Sequence, residues 1–279
     1  MREIDVAEIA DAVARLAGEL AYRLGDAETK ALGEARGREE SEPGLAALDQ
    51  IIENAGSAAK GVRPICQDTG LGVVFIDMGQ DVHLAGGSLE DAVNDGLRRG
   101  IEENYLRASA CDPFTRANTG DGVPAILHVR IVPGERVRIL FDAKGGGSEN
   151  CSRLAMLTPA DGMEGVKAFA VETVEKAGAK SCPPLVVGIG VGGNFETCAL
   201  LAKRALVREL GEPNPDPGLA SLEKEILDAA NATGVGPSGL GGRVTVMAVH
   251  VEAAPCHIAS LPVAVNLDCH AHRHGEAVL

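Results

Sequence analysis

Cys66, Gln67 and Asp68 set a soft metal ligand, an amide and a carboxylate on three successive residues, inside the run Arg63-Pro64-Ile65-Cys66-Gln67-Asp68-Thr69-Gly70. As a thiolate, the cysteine can hold iron or zinc while its neighbours handle substrate and protons. The same residues also read as a packed cysteine beside a turn made by Asp68-Thr69-Gly70. Two further cysteines bear on that choice. Cys182, in Ser181-Cys182-Pro183-Pro184, stands just before the apolar run Leu185 to Gly193, which reads as a buried strand entering a glycine turn. Cys269 follows a second short strand, Leu261 to Leu267, and directly precedes His270. Cysteines in these places can converge on one site. The stretch Lys144-Gly145-Gly146-Gly147-Ser148-Glu149-Asn150 offers either a nest of backbone amides for an anion or a plain tight turn.

The elements that must carry these residues are legible in part. Val6, Ile9, Val13, Leu16 and Leu20 recur at spacings of three and four, which predicts a helix, with Asp5 and Glu8 suited to cap its start. The polar stretch Gly33 to Pro43 reads as a linker to a second helix carrying Leu45, Leu48, Ile51 and Ile52. A strand at Val73 to Asp77 precedes a helix from about Leu89 to Leu106. Ala125 to Ile131 and Val137 to Asp142 read as strands, with Pro133-Gly134-Glu135 as the turn of a hairpin. Helices are expected near Gly162 to Ala177, Glu196 to Leu210 and Leu219 to Ala230, with a linker at Gly211 to Pro217. Val244 to Val251 and Val263 to Leu267 close the chain as strands, and the tail His270-Ala271-His272-Arg273-His274 reads as extended surface.

Helices and strands alternate irregularly, so the expected class is α/β, with mixed α+β as the variant, and not a regular Rossmann fold. Gly188, Gly190, Gly192 and Gly193 do not have the G-x-G-x-x-G spacing of a dinucleotide loop. The expected division is a helical part at residues 1–62 and a continuous two-lobed domain at 63–279. The 279 residues give ample length for a core, built here on small aliphatic side chains, since aromatics are only 3% and Trp is absent. A formal net charge of −14 argues against nucleic acid or an anionic membrane as partner, because both would be repelled. An anionic substrate is still compatible with this charge, since screening over about 8 Å lets a few local cations dominate a site. Seven cysteines, an odd number widely spread, do not resemble a secreted disulfide framework, and no apolar leader is visible, so a cytoplasmic location is expected.

The motif Cys66-Gln67-Asp68-Thr69-Gly70, the glycine run from Lys144 to Asn150, Cys182-Pro183-Pro184 with its following strand, and Ser260-Leu261-Pro262-Val263 leading to Cys269 occur in that order. As an ordered set they resemble the alpha subunit of the class I, iron-sulfur fumarate hydratases and the related L(+)-tartrate dehydratases, over roughly Arg63 to His274. The resemblance implies a [4Fe-4S] cluster held by Cys66, Cys182 and Cys269. Three thiolates leave one iron open to act as a Lewis acid in reversible hydration of fumarate to L-malate, with L(+)-tartrate or mesaconate as alternative substrates. It also implies substrate contacts from Gln67, Arg107 and His257 and a catalytic role for Asp68. A separate beta subunit completes such sites, so a heteromer such as a heterotetramer is expected.

A reading from another class is a non-catalytic zinc- or iron-binding protein using Cys256, His257, Cys269 and His270. Structural zinc normally shows tight paired spacing, and the twelve residues between Cys256 and Cys269 hold no second half of that kind. Among the remaining cysteines, Cys151 and Cys256 are the rival ligands, whereas Cys111 and Cys198 read as packing residues.

Overall fold

A computed structural model describes residues 2–279 as a mixed α/β protein. In chain order the elements are β1 (Arg2–Asp5), α1 (Val6–Tyr22), α2 (Asp26–Arg38), α3 (Glu42–Ala58), β2 (Leu71–Gly79), β3 (Val82–Ala85), α4 (Leu89–Glu103), β4 (Ile126–Val132) and β5 (Val137–Lys144). They continue with the short α5 (Gly146–Glu149), β6 (Arg153–Leu157), α6 (Gly162–Ala177), β7 (Leu185–Gly192), α7 (Phe195–Leu206), α8 (Pro217–Ala232), β8 (Val246–Ala254), β9 (Leu261–Asp268) and β10 (His274–Val278). Among the described residues, no helix is long and apolar enough to cross a membrane. Two compact units make up the chain. One comprises Met1–Gly25, Ala55–Gly146 and Arg273–Leu279, the other Asp26–Asn54 and Gly147–His272.

The first unit is built on a four-stranded sheet of order β10-β5-β2-β4. Helix α1 starts where the sequence places it: Asp5 accepts the Ala7 N–H at 2.9 Å, and the Glu8 carboxylate reaches back to the Asp5 N–H at 3.4 Å. Its stripe of Ile9, Val13 and Leu16 and the Val93 and Leu97 face of α4 pack on Val74, Ile76, Ile139 and Phe141 of the sheet. The expected β4–β5 hairpin does not form. β2 lies between the two strands, parallel to β4 and antiparallel to β5. The reason is burial: Val73 to Ile76 are almost wholly inaccessible and take the centre, whereas β4 exposes Ile126, Val129 and Ile131 and takes the edge. The Pro133 to Glu135 turn instead wraps the end of β2, with Asp81 N–H donating to the Gly134 carbonyl at 3.0 Å. The tail also departs from expectation, because residues 274–278 form β10 against β5 and Arg273 is buried.

The second unit holds a sheet of order β6-β9-β7-β8. Helices α6 and α8 cover one face, placing Val166, Ala170, Val174, Leu222 and Ile226 on Val187, Ile189, Val249, Val251 and Val265. The alternate residues of β7 face α7, and there the glycines have a steric purpose. A Cβ on Gly188 would stand 2.3 Å from the Ala202 carbonyl, and one on Gly190 would stand 2.0 Å from that of Cys198. These glycines therefore lie within a strand under a closely packed helix and form no nucleotide loop. The expected Gly33 to Pro43 linker is largely helix. α2 runs to Arg38 because Glu28, Leu32 and Ala35 form a narrow buried stripe, while Gly33 and Gly37 face open space.

Polar groups are also buried in the second unit. Glu223 accepts from Arg208 Nη1 at 2.6 Å, from the Val251 N–H at 2.8 Å and from the Asn214 N–H at 3.1 Å. His250, on the adjacent strand, contacts the Ala205 carbonyl through Nδ1 at 3.1 Å, so that nitrogen carries the proton. Burial, and then the Arg208 charge, push its imidazole down to about 4. The folded chain thus keeps His250 neutral while the unfolded chain protonates it below about pH 6.5, so stability falls as pH drops from about 6.5 towards 4. Urea midpoints measured at several pH values across this interval should decline less steeply for His250→Gln than for the wild type, the difference amounting to about 3 kcal/mol at the acid end.

Candidate active site

In the first unit, β2 begins where β5 ends, with Leu71 opposite Lys144. This register lays the Cys66 to Gly70 turn beside Gly145 and Gly146. Gly70 makes the approach possible: its φ is +81°, and a Cβ there would meet the Ala143 and Lys144 backbone at 2.8 Å. The half-buried Asp68 carboxylate is the hub. Oδ1 accepts the Gly70 N–H at 3.1 Å, Oδ2 accepts the Gly146 N–H at 2.7 Å, and Arg107 Nη2 lies 3.5 Å from Oδ1. The Asp68 backbone N–H points at the Cys66 sulfur, 3.4 Å away. Arg107 sits in the irregular segment after α4, tied down by the Thr69 hydroxyl, which donates to its carbonyl. Its guanidinium and the Gln67 side chain are exposed, so both are open to a ligand.

In the second unit, β7 and β9 run antiparallel with Val186 opposite Asp268. Cys182, just before β7, and Cys269, just after β9, therefore share one end of the sheet. The Cys182 carbonyl receives the His270 N–H at 3.3 Å and contacts its Nδ1 at 3.0 Å. Asp268, buried beside Cys269, accepts from the Cys269 N–H at 3.1 Å, from Ser148 Oγ at 3.2 Å and from His272 Nδ1 at 2.6 Å. The other His272 nitrogen meets the Leu206 carbonyl at 3.0 Å, so both ring nitrogens have an oxygen within hydrogen-bond distance. His272 is thus wholly inside, contrary to the surface reading of the tail.

The polar residues of the glycine loop anchor it near Cys269. Glu149 accepts from Lys203 Nζ at 2.6 Å and from Asn266 Nδ2 at 2.9 Å, and Ser152 Oγ accepts the Leu267 N–H at 3.0 Å. The sequence marks Ser148 and Glu149 only as part of the glycine motif and does not mark Asp268. The available signal was an acidic residue ending an otherwise apolar strand.

His257 lies elsewhere. It follows β8, whose last residue Ala254 pairs with Gly192 at the far end of β7, so it sits about 23 Å along the sheet from the cysteine pair at 3.3 Å per residue. There it is exposed and borders a cavity of about 360 Å³ lined by Met163, Val166, Leu219, Leu222, Ile258 and Leu261. The unit therefore brings Cys182 and Cys269 together but not His257. For the same reason Cys256 and His257 cannot share one ion with Cys269 and His270 of the same chain, which removes the four-ligand zinc arrangement. All seven cysteines are free thiols. Cys198 is fully buried on the inner face of α7, where desolvation pushes its thiol up, as befits a packing residue.

Gly145, Gly146 and Gly147 are the informative glycines. None has a positive φ, and a Cβ would meet only Asp68 Oδ2 at 3.4 Å from Gly145, the same atom at 3.6 Å from Gly146, and the Lys180 carbonyl at 3.4 Å from Gly147. No protein atom requires these three residues to lack a side chain. The two kinds of glycine separate in a denaturation experiment. Gly70→Ala should lose about 2–4 kcal/mol from the left-handed penalty plus the backbone clash, whereas Gly145→Ala should stay within about 1 kcal/mol of wild type.

The chain was compared with known proteins. The fumarate hydratase (Fumerase) family profile matches residues 10–278. A Methanocaldococcus jannaschii protein named "Putative L(+)-tartrate dehydratase subunit alpha" is 40% identical over 272 residues, covering 95% of each chain. The L(+)-tartrate dehydratase subunit alpha of Escherichia coli K12 is 32% identical over 278 residues, covering 98% of this chain and 91% of that protein. Matched over almost its whole length, with the cysteine, aspartate and glycine motifs within the matched region, the chain belongs to the fumarate hydratase (Fumerase) family of hydro-lyases.

Proposed function

We propose that this chain is the alpha subunit of an iron-sulfur hydro-lyase that adds water to, or removes it from, a four-carbon dicarboxylate. The observation that carries the reading is the Asp68 carboxylate, gripped by the Gly70 and Gly146 amides, with Arg107 at 3.5 Å and Cys66 two residues away. The donor set suits a [4Fe-4S] cluster: Cys66, Cys182 and Cys269 are free thiols, none of them fully buried, and the Asp68 N–H is directed at the Cys66 sulfur. When bound, the cluster supplies Lewis acidity from the iron that lacks a protein ligand. Free cysteines and such a cluster fit the reducing cytoplasm.

The chain's own residues have separable tasks. Arg107 is largely exposed and only loosely paired with Asp68, an interaction worth about 0–1 kcal/mol, so it can exchange that partner for a substrate carboxylate. Gln67, exposed beside it, offers an amide to orient the same molecule. Asp68, fixed in place by two backbone amides, holds or passes the proton that moves with the hydroxyl group. His257, at the far end of its sheet, reaches the same substrate only if a second copy of the chain supplies it, as in a heterotetramer. Fumarate and L-malate are the first substrate pair. L(+)-tartrate, dehydrated to oxaloacetate, is the second reading, supported by the names of the relatives.

Those relatives are named as alpha subunits, so a beta subunit is the proposed partner. Tyr105 and Phe114, each 92% exposed on the segment that carries Arg107, are apolar surface suited to cover by that partner. The isolated chain should show little turnover, and mixing with the beta subunit under anaerobic conditions should produce it. Comparing kcat/KM for fumarate, L-malate and L(+)-tartrate then selects the substrate, and robust activity of the isolated chain would refute the half-site reading.

Two neighbouring substitutions should fail differently. Asp68→Asn should keep the visible cluster absorption and lose about 100-fold or more in kcat, whereas Cys66→Ser should lose the absorption itself. An Asp68→Asn enzyme with near-normal turnover would reduce Asp68 to a turn residue.

A further inference from the structure

β4 is the outer strand of the first unit's sheet, and its free edge is apolar. Ile131 is 63% exposed and Val129 47%, on a strand of seven residues, Ile126 to Val132, that contains no lysine, proline or glycine. Edge strands ordinarily carry such residues, or a bulge, to prevent pairing with another chain. The register with β2 is unbroken along the strand, so no bulge turns the edge away. The two polar side chains do not guard it either. His128 stacks on Phe75 with ring centroids 5.1 Å apart, and Arg130 donates to both Asp77 carboxylate oxygens, at 3.1 and 2.8 Å, so the neighbouring strand holds both. The opposite edge, β10, is shorter and carries Gly275 and the charged Glu276.

The direction of the backbone groups follows from one bond. The Gln80 N–H donates to the Val132 carbonyl at 2.8 Å, so Val132 turns its N–H and C=O towards β2. Alternation gives Arg130, His128 and Ile126 the same sense. It turns the groups of Leu127, Val129 and Ile131 outward, where the sheet has no further strand. The outward set is symmetric about Val129. In an antiparallel pair centred there, Leu127 meets Ile131 of the other strand and Val129 meets its own equivalent, so every outward N–H finds an outward C=O. The side chains match as well, because Leu127, Val129 and Ile131 lie on one face of the sheet and form an apolar ladder with their counterparts.

We propose that β4 is a dimerisation strand, pairing antiparallel with β4 of a second copy of this chain across a two-fold axis at Val129. A second copy is favoured over a strand of a different protein because the edge already supplies both halves of its own complement, in hydrogen bonds and in side chains. Joined this way, the two four-stranded sheets become one of eight strands, within the usual size of open sheets. Arg130 of one copy then stands opposite His128 of the other, and the Asp77 carboxylate beside Arg130 offsets its charge. Two alpha subunits so joined would form the centre of a heterotetramer. The pairing requires neither the cluster nor the substrate.

Sedimentation equilibrium of the full chain, alone and mixed with the beta subunit, tests the assignment together with amide hydrogen exchange resolved by residue. The chain alone should be a dimer at micromolar concentration, and the complex should hold two alpha subunits. Val129→Lys sets two ammonium groups opposite each other on the axis and should raise the dimer dissociation constant about 10-fold or more. Val278→Lys, at a residue 51% exposed on the opposite edge, should leave that constant unchanged. The wild-type amides of Leu127, Val129 and Ile131 should exchange more slowly as concentration rises through the dimer range, a readout that stands even if the Val129 variant does not fold. A wild-type chain that stays monomeric overturns the assignment, as does a dimer in which these three amides exchange at the monomer's rate. Dimerisation of folded Val129→Lys as tight as wild type, or an equal weakening by Val278→Lys, would do the same. Protection that appears only on adding the beta subunit, with one alpha subunit per complex, would give the edge to that partner and overturn self-pairing.

Discussion

The contact between the Asp68 carboxylate and the Gly146 N–H, 2.7 Å long, is the constraint that fixes the Cys66 to Gly70 turn of the first unit. It exists because β2 enters the sheet antiparallel to β5, so that the residues before one strand meet the residues after the other. That register requires Gly70, whose left-handed turn brings the backbone against Ala143 and Lys144 with no room for a side chain. The core beneath supplies the rigidity. Val74, Ile76, Ile139 and Phe141 are pinned by α1 and α4, so a carboxylate mounted at the strand end inherits a fixed position.

The second unit uses the same device with different residues. Antiparallel pairing of β7 with β9 brings Cys182 and Cys269 to one end of the sheet, and the polar side chains around them fasten the connecting loops. Asp268 gathers a backbone amide, a serine hydroxyl and an imidazole in a buried place, where an unpaired carboxylate would be costly. The same strand pairing removes His257 from that end, because β8 runs parallel to β7 and delivers the loop after it to the opposite edge. Pairing sense, more than residue type, decides which of the chemically capable side chains are neighbours.

Electrostatics divide between the whole and the local. The chain's negative charge is spread over solvent, where screening within about 8 Å removes most of its reach. Two arginines of the first unit differ: Arg107 lies on an exposed segment and Arg273 is buried beside Ala143. Their exposures differ sharply, and so do their roles in the fold. Arg107 has solvent and a loose pairing with Asp68 to satisfy it, whereas Arg273 has one carbonyl.

Much of the local structure follows from the sequence alone. The Asp5 and Glu8 capping box and the three-and-four spacing behind it specify α1, and α6 spans Gly162–Ala177 as expected, because caps and helical stripes involve residues close in the chain. The ordered motifs around Cys66, Lys144, Cys182 and Cys269 likewise announce the family by residue type and order. Pairing partners are a different matter. Whether β4 joins β5 or β2, whether the last residues form a strand, and which cysteine lies beside which strand end are settled by competition for buried positions among segments far apart in sequence. Arg273 shows the limit most clearly: in sequence it is one charged residue in a histidine-rich tail, and only the pairing of β10 with β5 buries it beside Ala143.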